Sequence, residues 1–363
     1  MGYRVGIDGH VLDGKNQGTK TFLRGLLRAI PSTAHEFVVY CFHPERQANE
    51  ITNPRVRFQP LHNHNAALRL GFEFPRSFRR DRIDIGMFQY VAPPIGPTRT
   101  MVVVHDLLPF THPQFFPLPF RLRMAALLPH SVARAAAVVT VSEATRAAIR
   151  ARFPRAAAVH LVPEGPSFAA AALLAPRTED LDADALPHGL RAGRFVLAVG
   201  RIEPRKNIDL LTRAFLRAGR DDIDLVLVGA QDMGYEWRPP THPRVRHIVG
   251  ADDALLLRLH RAAGLFVYPS AAEGFGLPLL DAVLAGAPVL SSDRTSMPEV
   301  GGTSAHYFDP DADDAEAWLA NAIAHHFGGD PFQPATAEMR ARHARHYAWD
   351  AAAQRLIEIL DGM

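Results

Sequence analysis

Two hydrophobic patterns alternate along the chain. Short unbroken apolar runs are followed by stretches in which apolar residues return every third or fourth position. Unbroken runs suit strands covered on both faces, and the longer spacing suits helices that bury one stripe. Strands are therefore expected at Tyr3–Ile7, Phe37–Phe42, Val56–Phe58, Ile83–Phe88, Thr100–Val104, Val138–Val141 and Val159–Val162. A second set is expected at Phe195–Val199, Asp224–Val228, Val245–Val249, Leu265–Tyr268, Ala287–Leu290 and His306–Phe308. Helices fill the intervals. One follows Thr19 or Thr21 and carries Phe22, Leu23, Leu26, Leu27 and Ile30 on one face; others cover Pro119–Arg134 and Ser142–Arg152. Asn207 and Asp252 are expected to cap two more, Ser296 with Glu299 forms a capping box, and three helices close the chain at about 313–327, 336–346 and 349–361. Residues 60–82 read as irregular and basic.

Strands alternating with helices predict an α/β fold with parallel sheets. Residues 163–190 carry no period and hold Pro163, Pro166, Pro176 and Pro187. They divide the chain into a domain over 1–170, a linker over 171–190 and a second domain over 191–346, with a last helix over 347–363. A length of 363 residues suits two doubly wound domains better than one core. Such sheets bind ligands beyond their strand carboxyl ends.

Composition narrows the class. Lys and Arg number 40 against 38 Asp and Glu, so no global field recruits nucleic acid. The single cysteine, Cys41, sits in the apolar run EFVVYCF and reads as a small buried hydrophobe; a disulfide framework is excluded, which suits a reducing, cytoplasmic setting. The start MGYRVGIDGH is not a signal peptide, and no uncharged run is long enough to span a membrane. No Cys/His cluster or His-Glu-x-x-His motif occurs, so neither a metal nor another cofactor is indicated. No Gly-x-Gly-x-x-Gly follows a strand and no Gly-Lys-Ser/Thr loop occurs, which argues against dinucleotide and P-loop enzymes.

Tyr268–Pro288, YPSAAEGFGLPLLDAVLAGAP, carries the densest signal. It reads as a strand end, a glycine loop holding Glu273, and a helix that Pro278 starts and Gly286 and Pro288 stop. Backbone N–H groups at a helix start beside glycines form an anion site. Three further loops hold polar residues at strand or helix ends. Asn16-Gln17-Gly18-Thr19 is either an ordinary helix start or a place where Gly18 admits a phosphate. His105-Asp106 ends a buried strand, where the histidine is either a satisfied core group or a partner for a sugar hydroxyl. Gly200–Asn207 holds Arg201, Arg205 and Lys206; Arg201 can fork to a phosphate and Lys206 adds a point charge, while mutual repulsion is costly unless an anion sits there. Glu273 suits neutral hydroxyls better than a phosphate. Together these groups describe a nucleotide-sugar site.

EGFGLPLLDAVLAGAPVL, with VYPS before it and TSMPEVGG after it, resembles the bacterial group 1 glycosyltransferases (glycosyltransferase family 4). VGRIEPRKNIDLLTRAF resembles that family's phosphate-binding segment, GADDALLLRLHRAAGLFVYPS its nucleotide-side helix, and RVGIDGHVL, QGTKTF and VVVHDLLPF its acceptor half. The resemblance implies a GT-B fold: two Rossmann-like domains facing a central cleft, the C-terminal helix packing back on the N-terminal one. It implies a metal-independent reaction with retention at the anomeric carbon. Arg201 and Lys206 would hold the diphosphate, the backbone of Gly274, Phe275, Gly276 and Leu277 the donor, Glu273 the sugar hydroxyls, and His105 the sugar near the reacting carbon. Gly18 would border the diphosphate. Asp281 replaces the second glutamate of the family pattern, which holds the ribose, and QGTKTF lacks the arginine usual after the glycines.

The expected function is transfer of a hexose or deoxyhexose, mannose or rhamnose favoured, from a nucleoside diphosphate sugar to a glycan or lipid-linked glycan of envelope polysaccharide. Alternatives are an epimerase or hydrolase of the same fold, or a silent sugar-nucleotide-binding subunit. HPQFFPLPFRLRMAALLPH, with the arginines at 76, 79, 80 and 82, is either a buried helix with capping arginines or a peripheral contact with an anionic membrane.

Overall fold

The structure is a computed structural model that describes residues 2–14, 18–95, 99–175, 186–231 and 235–363. Asn16 and Gln17 of the first polar loop lie outside the described residues. The chain divides into two compact units, Met1–Gly165 with Tyr347–Met363, and Pro166–His346.

The strands are β1 (Arg4–Asp8), β2 (Glu36–Cys41), β3 (Val56–Pro60), β4 (Ile85–Gln89), β5 (Arg99–Val104), β6 (Ala137–Thr140) and β7 (Val159–Leu161), then β8 (Phe195–Val199), β9 (Asp224–Val228), β10 (Val245–Ile248), β11 (Leu265–Tyr268), β12 (Val289–Ser292) and β13 (His306–Phe308). The helices are α1 (Gly18–Ala29), α2 (Pro44–Glu50), α3 (Ala66–Leu68), α4 (Phe74–Arg80), α5 (Leu108–Thr111), α6 (Leu118–Arg134), α7 (Glu143–Arg152), α8 (Ala170–Leu174), α9 (Ile208–Arg217), α10 (Asp253–Ala262), α11 (Leu277–Ala285), α12 (Met297–Gly301), α13 (Ala315–Gly328), α14 (Ala337–His346) and α15 (Trp349–Asp361).

The first unit's sheet runs β3-β2-β1-β4-β5-β6-β7 and the second's β10-β9-β8-β11-β12-β13, each parallel throughout. Both are Rossmann-like. The order reverses between β1 and β4 in one sheet and between β8 and β11 in the other. At such a reversal the helices leave toward opposite faces, and a crevice opens at the strand carboxyl ends. The unbroken apolar runs become strands buried along nearly their whole length, as in Phe195, Val196, Leu197 and Ala198 of β8. Cys41 ends β2 fully buried, its thiol pushed up to about 12 by burial and the nearby Asp13 charge.

Residues 60–82 are more regular than their pattern suggests. Asn65 caps α3 by accepting from the Ala67 and Leu68 N–H groups, a π-helical turn follows at Arg69–Glu73, and α4 continues to Arg80. Phe74 and Phe78 bury there against Tyr40 and Phe88, so tertiary packing of aromatic rings organises a segment whose local charges obscure the period. Two caps also differ from expectation. Asn207 precedes α9 in the left-handed region (φ 55°) and makes no side-chain cap; Asp252 does cap α10, its Oδ1 accepting from the Leu255 N–H at 2.7 Å.

One buried group in the second unit stands apart. His260 of α10 is 1% exposed, lies against the Phe168 and Phe266 rings, and makes no hydrogen bond with either ring nitrogen among the described residues. Burial lowers its pKa to about 3.

In the first unit the last helix completes the core. Leu356, Ile357 and Leu360 of α15 are buried, and α15 packs on α1. Trp349 occupies the space beside Gly25 of α1: a Cβ at Gly25 would lie 2.3 Å from the indole ring. Gly25→Ala is expected to destabilise this unit by about 1–3 kcal/mol, because a flat indole ring between two helices cannot yield cheaply. Urea unfolding measures the loss. The double variant with Trp349→Leu should recover part of it; strictly additive effects would show that the indole is not what excludes the methyl group.

Candidate active site

In the second unit the reversal between β8 and β11 puts two loops side by side, Gly200–Asn207 after β8 and Pro269–Gly276 after β11. The Ala271 N–H donates to the Arg205 carbonyl at 2.8 Å, which ties the loops together. Gly276 then turns the chain into α11 with φ 109°, a conformation that side chains resist, and Pro278 sits in the helix's first turn. Gly286 ends α11 in the left-handed region.

The two loops enclose a buried charge cluster. Lys206 Nζ donates to Glu273 Oε1 at 2.6 Å and to the Tyr268 hydroxyl at 2.8 Å, and lies 4.9 Å from the Tyr268 ring centre. Tyr268 donates to Glu273 Oε1 at 3.0 Å. Arg205 Nη1 donates to Glu273 Oε2 at 2.5 Å and to the Ala272 carbonyl at 2.6 Å, and Nη2 pairs with Glu203. Glu273 and Lys206 are each 8% exposed.

Burial pushes the Glu273 carboxyl up, but the charges of Arg205 and Lys206 and their hydrogen bonds outweigh it and hold the pKa at about 2. Lys206 is pulled below the usual lysine range by burial and by repulsion from Arg205, despite Glu273. Arg205 is thus the principal counter-ion of Glu273, and Lys206 is a cation whose burial is only partly offset. Burial and the Glu273 charge keep the Tyr268 phenol protonated well above its usual range.

The cluster is pinned from behind by the segment that follows β12. Thr295, a β-branched residue at φ 47°, accepts the Glu273 N–H on Oγ1 at 2.9 Å. Ser296 Oγ donates to the Phe275 carbonyl at 2.7 Å and the Glu273 carbonyl at 3.2 Å, so it braces the glycine loop and makes no capping box with Glu299. A non-glycine residue held at positive φ is strained, and such strain gathers at functional sites.

The other sequence-derived candidates fall as follows. Arg201 is half-buried in the loop after β8, while the neighbouring Arg205 and Lys206 reach Glu273. Gly274, Phe275 and Gly276 line the loop into α11, and Leu277 is its first residue. Asp281 is 2% exposed in α11 and accepts the Ser167 N–H on Oδ1 at 2.9 Å.

In the first unit, Gly18 is the exposed first residue of α1. His105, just beyond β5, is buried; its Nε2 donates to Gln89 Oε1 at 2.5 Å, its Nδ1 is 3.4 Å from Glu164 Oε1, and Phe22 meets its ring edge-on. Tyr90, at φ 60°, donates to Asp106 Oδ2 at 2.9 Å beside it.

Comparison with known proteins places this geometry. The model described as "Glycosyl transferases group 1" matches residues 193–326, and that of "Glycosyltransferase Family 4" matches residues 16–166. O-antigen chain mannosyltransferase B of Escherichia coli is 30% identical over 267 residues, 69% of this chain and 67% of that protein. The chain belongs to the group 1 glycosyltransferases. Serotype-specific mannosyltransferase WbdA of E. coli is 32% identical over 144 residues, 36% of this chain and 17% of that protein. Sucrose-phosphate synthase from Thermosynechococcus elongatus superposes with a TM-score of 0.71 at 18% identity, covering 100% of this chain and 99% of that one. This glycosyltransferase therefore has the GT-B fold.

Glu273 is the pivot of the cluster, and its protonation sets a pH window. Its folded pKa lies below the usual value near 4.5, so the stability it contributes is complete above 4.5 and is lost as pH falls toward about 2. Glu273→Gln leaves two buried cations under-compensated and is expected to cost about 3 kcal/mol or more at neutral pH. The deficit against wild type, followed by thermal unfolding, should stay level down to about pH 4.5 and shrink below it. A deficit unchanged in acid would show that the carboxylate is not ionised in the folded unit.

Proposed function

We propose that this glycosyltransferase moves a hexose or deoxyhexose, mannose or rhamnose favoured, from a nucleoside diphosphate sugar to a glycan or lipid-linked glycan in bacterial envelope polysaccharide assembly. The reaction would retain the anomeric configuration and need no metal. Two similar proteins that carry mannosyltransferase names support the sugar class.

The observation that carries the reading is Lys206: a buried ammonium, paired with Glu273 and repelled by Arg205, between the loops that follow β8 and β11. An incoming diphosphate would supply the negative charge that Glu273 alone does not. Arg201 and Lys206 would bind it, and the positive end of α11, with the backbone of Gly274–Leu277, would meet the donor. As the glycosidic bond breaks, charge grows on the leaving diphosphate, and these fixed cations stabilise it without reorganising.

Glu273 accepts three hydrogen bonds within the cluster, from Lys206, Tyr268 and Arg205. A carboxylate offers about four acceptor sites, so one remains for a sugar hydroxyl. Asp281, fixed by the Ser167 N–H, would hold the ribose hydroxyls. In the other unit His105 would contact the sugar near the reacting carbon, oriented by Gln89, and Gly18 would let the diphosphate approach α1.

Two measurements test this. In a thermal-shift panel of GDP, UDP, ADP and dTDP, one nucleotide should stabilise the enzyme by about 2.7 kcal/mol at 100 times its dissociation constant. Lys206→Ala should abolish that shift and lower turnover by about a hundredfold or more. Turnover at the wild-type rate would remove Lys206 from the site. The NMR coupling of the anomeric proton in the product reads the stereochemistry directly, and inversion would overturn the retaining assignment.

A further inference from the structure

The loop after β8 carries two adjacent cations near Glu273, and the fold treats them differently. Pro204–Lys206 forms a single 3₁₀ turn, which Asn207 ends at φ 55°. Three residues make one such turn, so neighbouring side chains leave it about 120° apart. Arg205 and Lys206 therefore reach Glu273 from different directions, Arg205 at Oε2 and Lys206 at Oε1. The guanidinium is bound on both edges. Nη1 donates to Glu273 Oε2 at 2.5 Å and to the Ala272 carbonyl at 2.6 Å, and Nη2 donates to Glu203 Oε1. The backbone repeats the tie, since the Arg205 carbonyl accepts the Ala271 N–H at 2.8 Å. Residue 205 thus grips Ala271, Ala272 and Glu273 in succession.

Lys206 is held less firmly. Two of its ammonium's three N–H groups are used among the described residues, and both go to the Tyr268–Glu273 pair. Burial lowers the pKa of both cations. The Glu273 and Glu203 charges more than restore that of Arg205, while Lys206 stays below the lysine range because Arg205 also repels it. Glu203 makes the difference. One carboxylate cannot neutralise two buried cations; Glu203 supplies a second, and its hydrogen bond goes to Arg205. A flat guanidinium can serve two carboxylates and a carbonyl at once, a geometry that an ammonium cannot hold.

We infer that Arg205, anchored by Glu203, is a positioning residue for the transfer: it fixes Glu273 where the sugar is met, and so leaves the charge of Lys206 to the donor's diphosphate. The neighbouring cations then have separate tasks, one toward the protein's own carboxylate and one toward the donor. The inference rests on the donor-site reading, in which Lys206 binds the diphosphate and Glu273 the sugar.

The test uses the full chain, the one of GDP, UDP, ADP and dTDP that stabilises it, and the sugar conjugate of that nucleotide. Turnover is expressed per nucleotide-binding site counted by calorimetry, so that a loss of folded enzyme does not imitate a loss of rate. Lys206→Ala is the reference: unchanged nucleotide affinity there overturns the donor-site reading and this inference with it. Arg205→Lys keeps the charge and removes the fork. It should bind the nucleotide within about threefold of wild type yet turn over about a hundredfold more slowly at saturating donor, the cost of a group displaced by about 1 Å. Glu203→Gln keeps an acceptor for Arg205 without the charge, and should slow turnover by about tenfold at the same affinity. The Glu203 side chain is 19% exposed, so this variant tests the arrangement even where Arg205→Lys folds poorly. The double variant should be little slower than Arg205→Lys alone, because the two residues act as a unit. With the reference loss in hand, three results overturn the positioning role of Arg205 and leave the donor site standing. Nucleotide affinity that falls together with turnover in Arg205→Lys would put Arg205 on the diphosphate. Wild-type turnover in Arg205→Lys would show that Glu273 needs no such hold. Rate losses of the two substitutions that simply multiply would detach Glu203 from Arg205.

Discussion

The arrangement of the second unit rests on neutralising charge out of water. Arg205 and Lys206 sit side by side, and their burial would be prohibitive without Glu273. That one carboxylate has to arrive from another loop, 67 residues along the chain from Lys206. The parallel pairing of β8 with β11 brings the two loops together, and Gly276, Thr295 and Ser296 hold the carboxylate's backbone in place. Strained φ angles and buried serines are tolerated here because the cluster must be assembled before any ligand comes. A site organised in this way does not need to reorganise when negative charge develops beside it.

The fold was largely legible because both sheets are parallel and covered on two faces. Central strands such as β8 and β11 then show as unbroken apolar runs, and β8, β9, β11 and β13 fall at the bounds expected. Legibility failed where order comes from distant partners. Residues 66–80 form helical turns because Phe74 and Phe78 find Tyr40 and Phe88, and the arginines between them hide the period. β12 runs Val289–Ser292, past the apolar Ala287–Leu290 expected, since Ser291 and Ser292 pair with Tyr307 and Phe308 of β13.

The site was legible in its parts and less so in its connections. Sequence singled out the glycine loop and the basic loop, and it noted that neighbouring cations require an anion. Glu273 meets part of that need from within the chain. Arg205 was passed over in favour of Arg201 and Lys206, and only the pairing of β8 with β11 shows which cation faces the carboxylate. Tyr268 read as the end of a strand, yet its hydroxyl bridges Lys206 and Glu273. Thr295 carries no sequence signal, because nothing in a threonine announces a left-handed backbone. A serine followed three residues later by a glutamate did carry one at Ser296, and the competing carbonyls of the glycine loop won that hydroxyl.

The buried imidazole of His260 gives the second unit an acid limit that the charge cluster does not share. Below its usual value near 6.5 an unfolded chain takes up a proton that the folded unit refuses until about pH 3. Over that interval each unit of pH withdraws about 1.4 kcal/mol from folding. Glu273 keeps its charge until about pH 2. In mild acid the enzyme would therefore run short of folded molecules while those that remain still hold an intact, correctly ionised site.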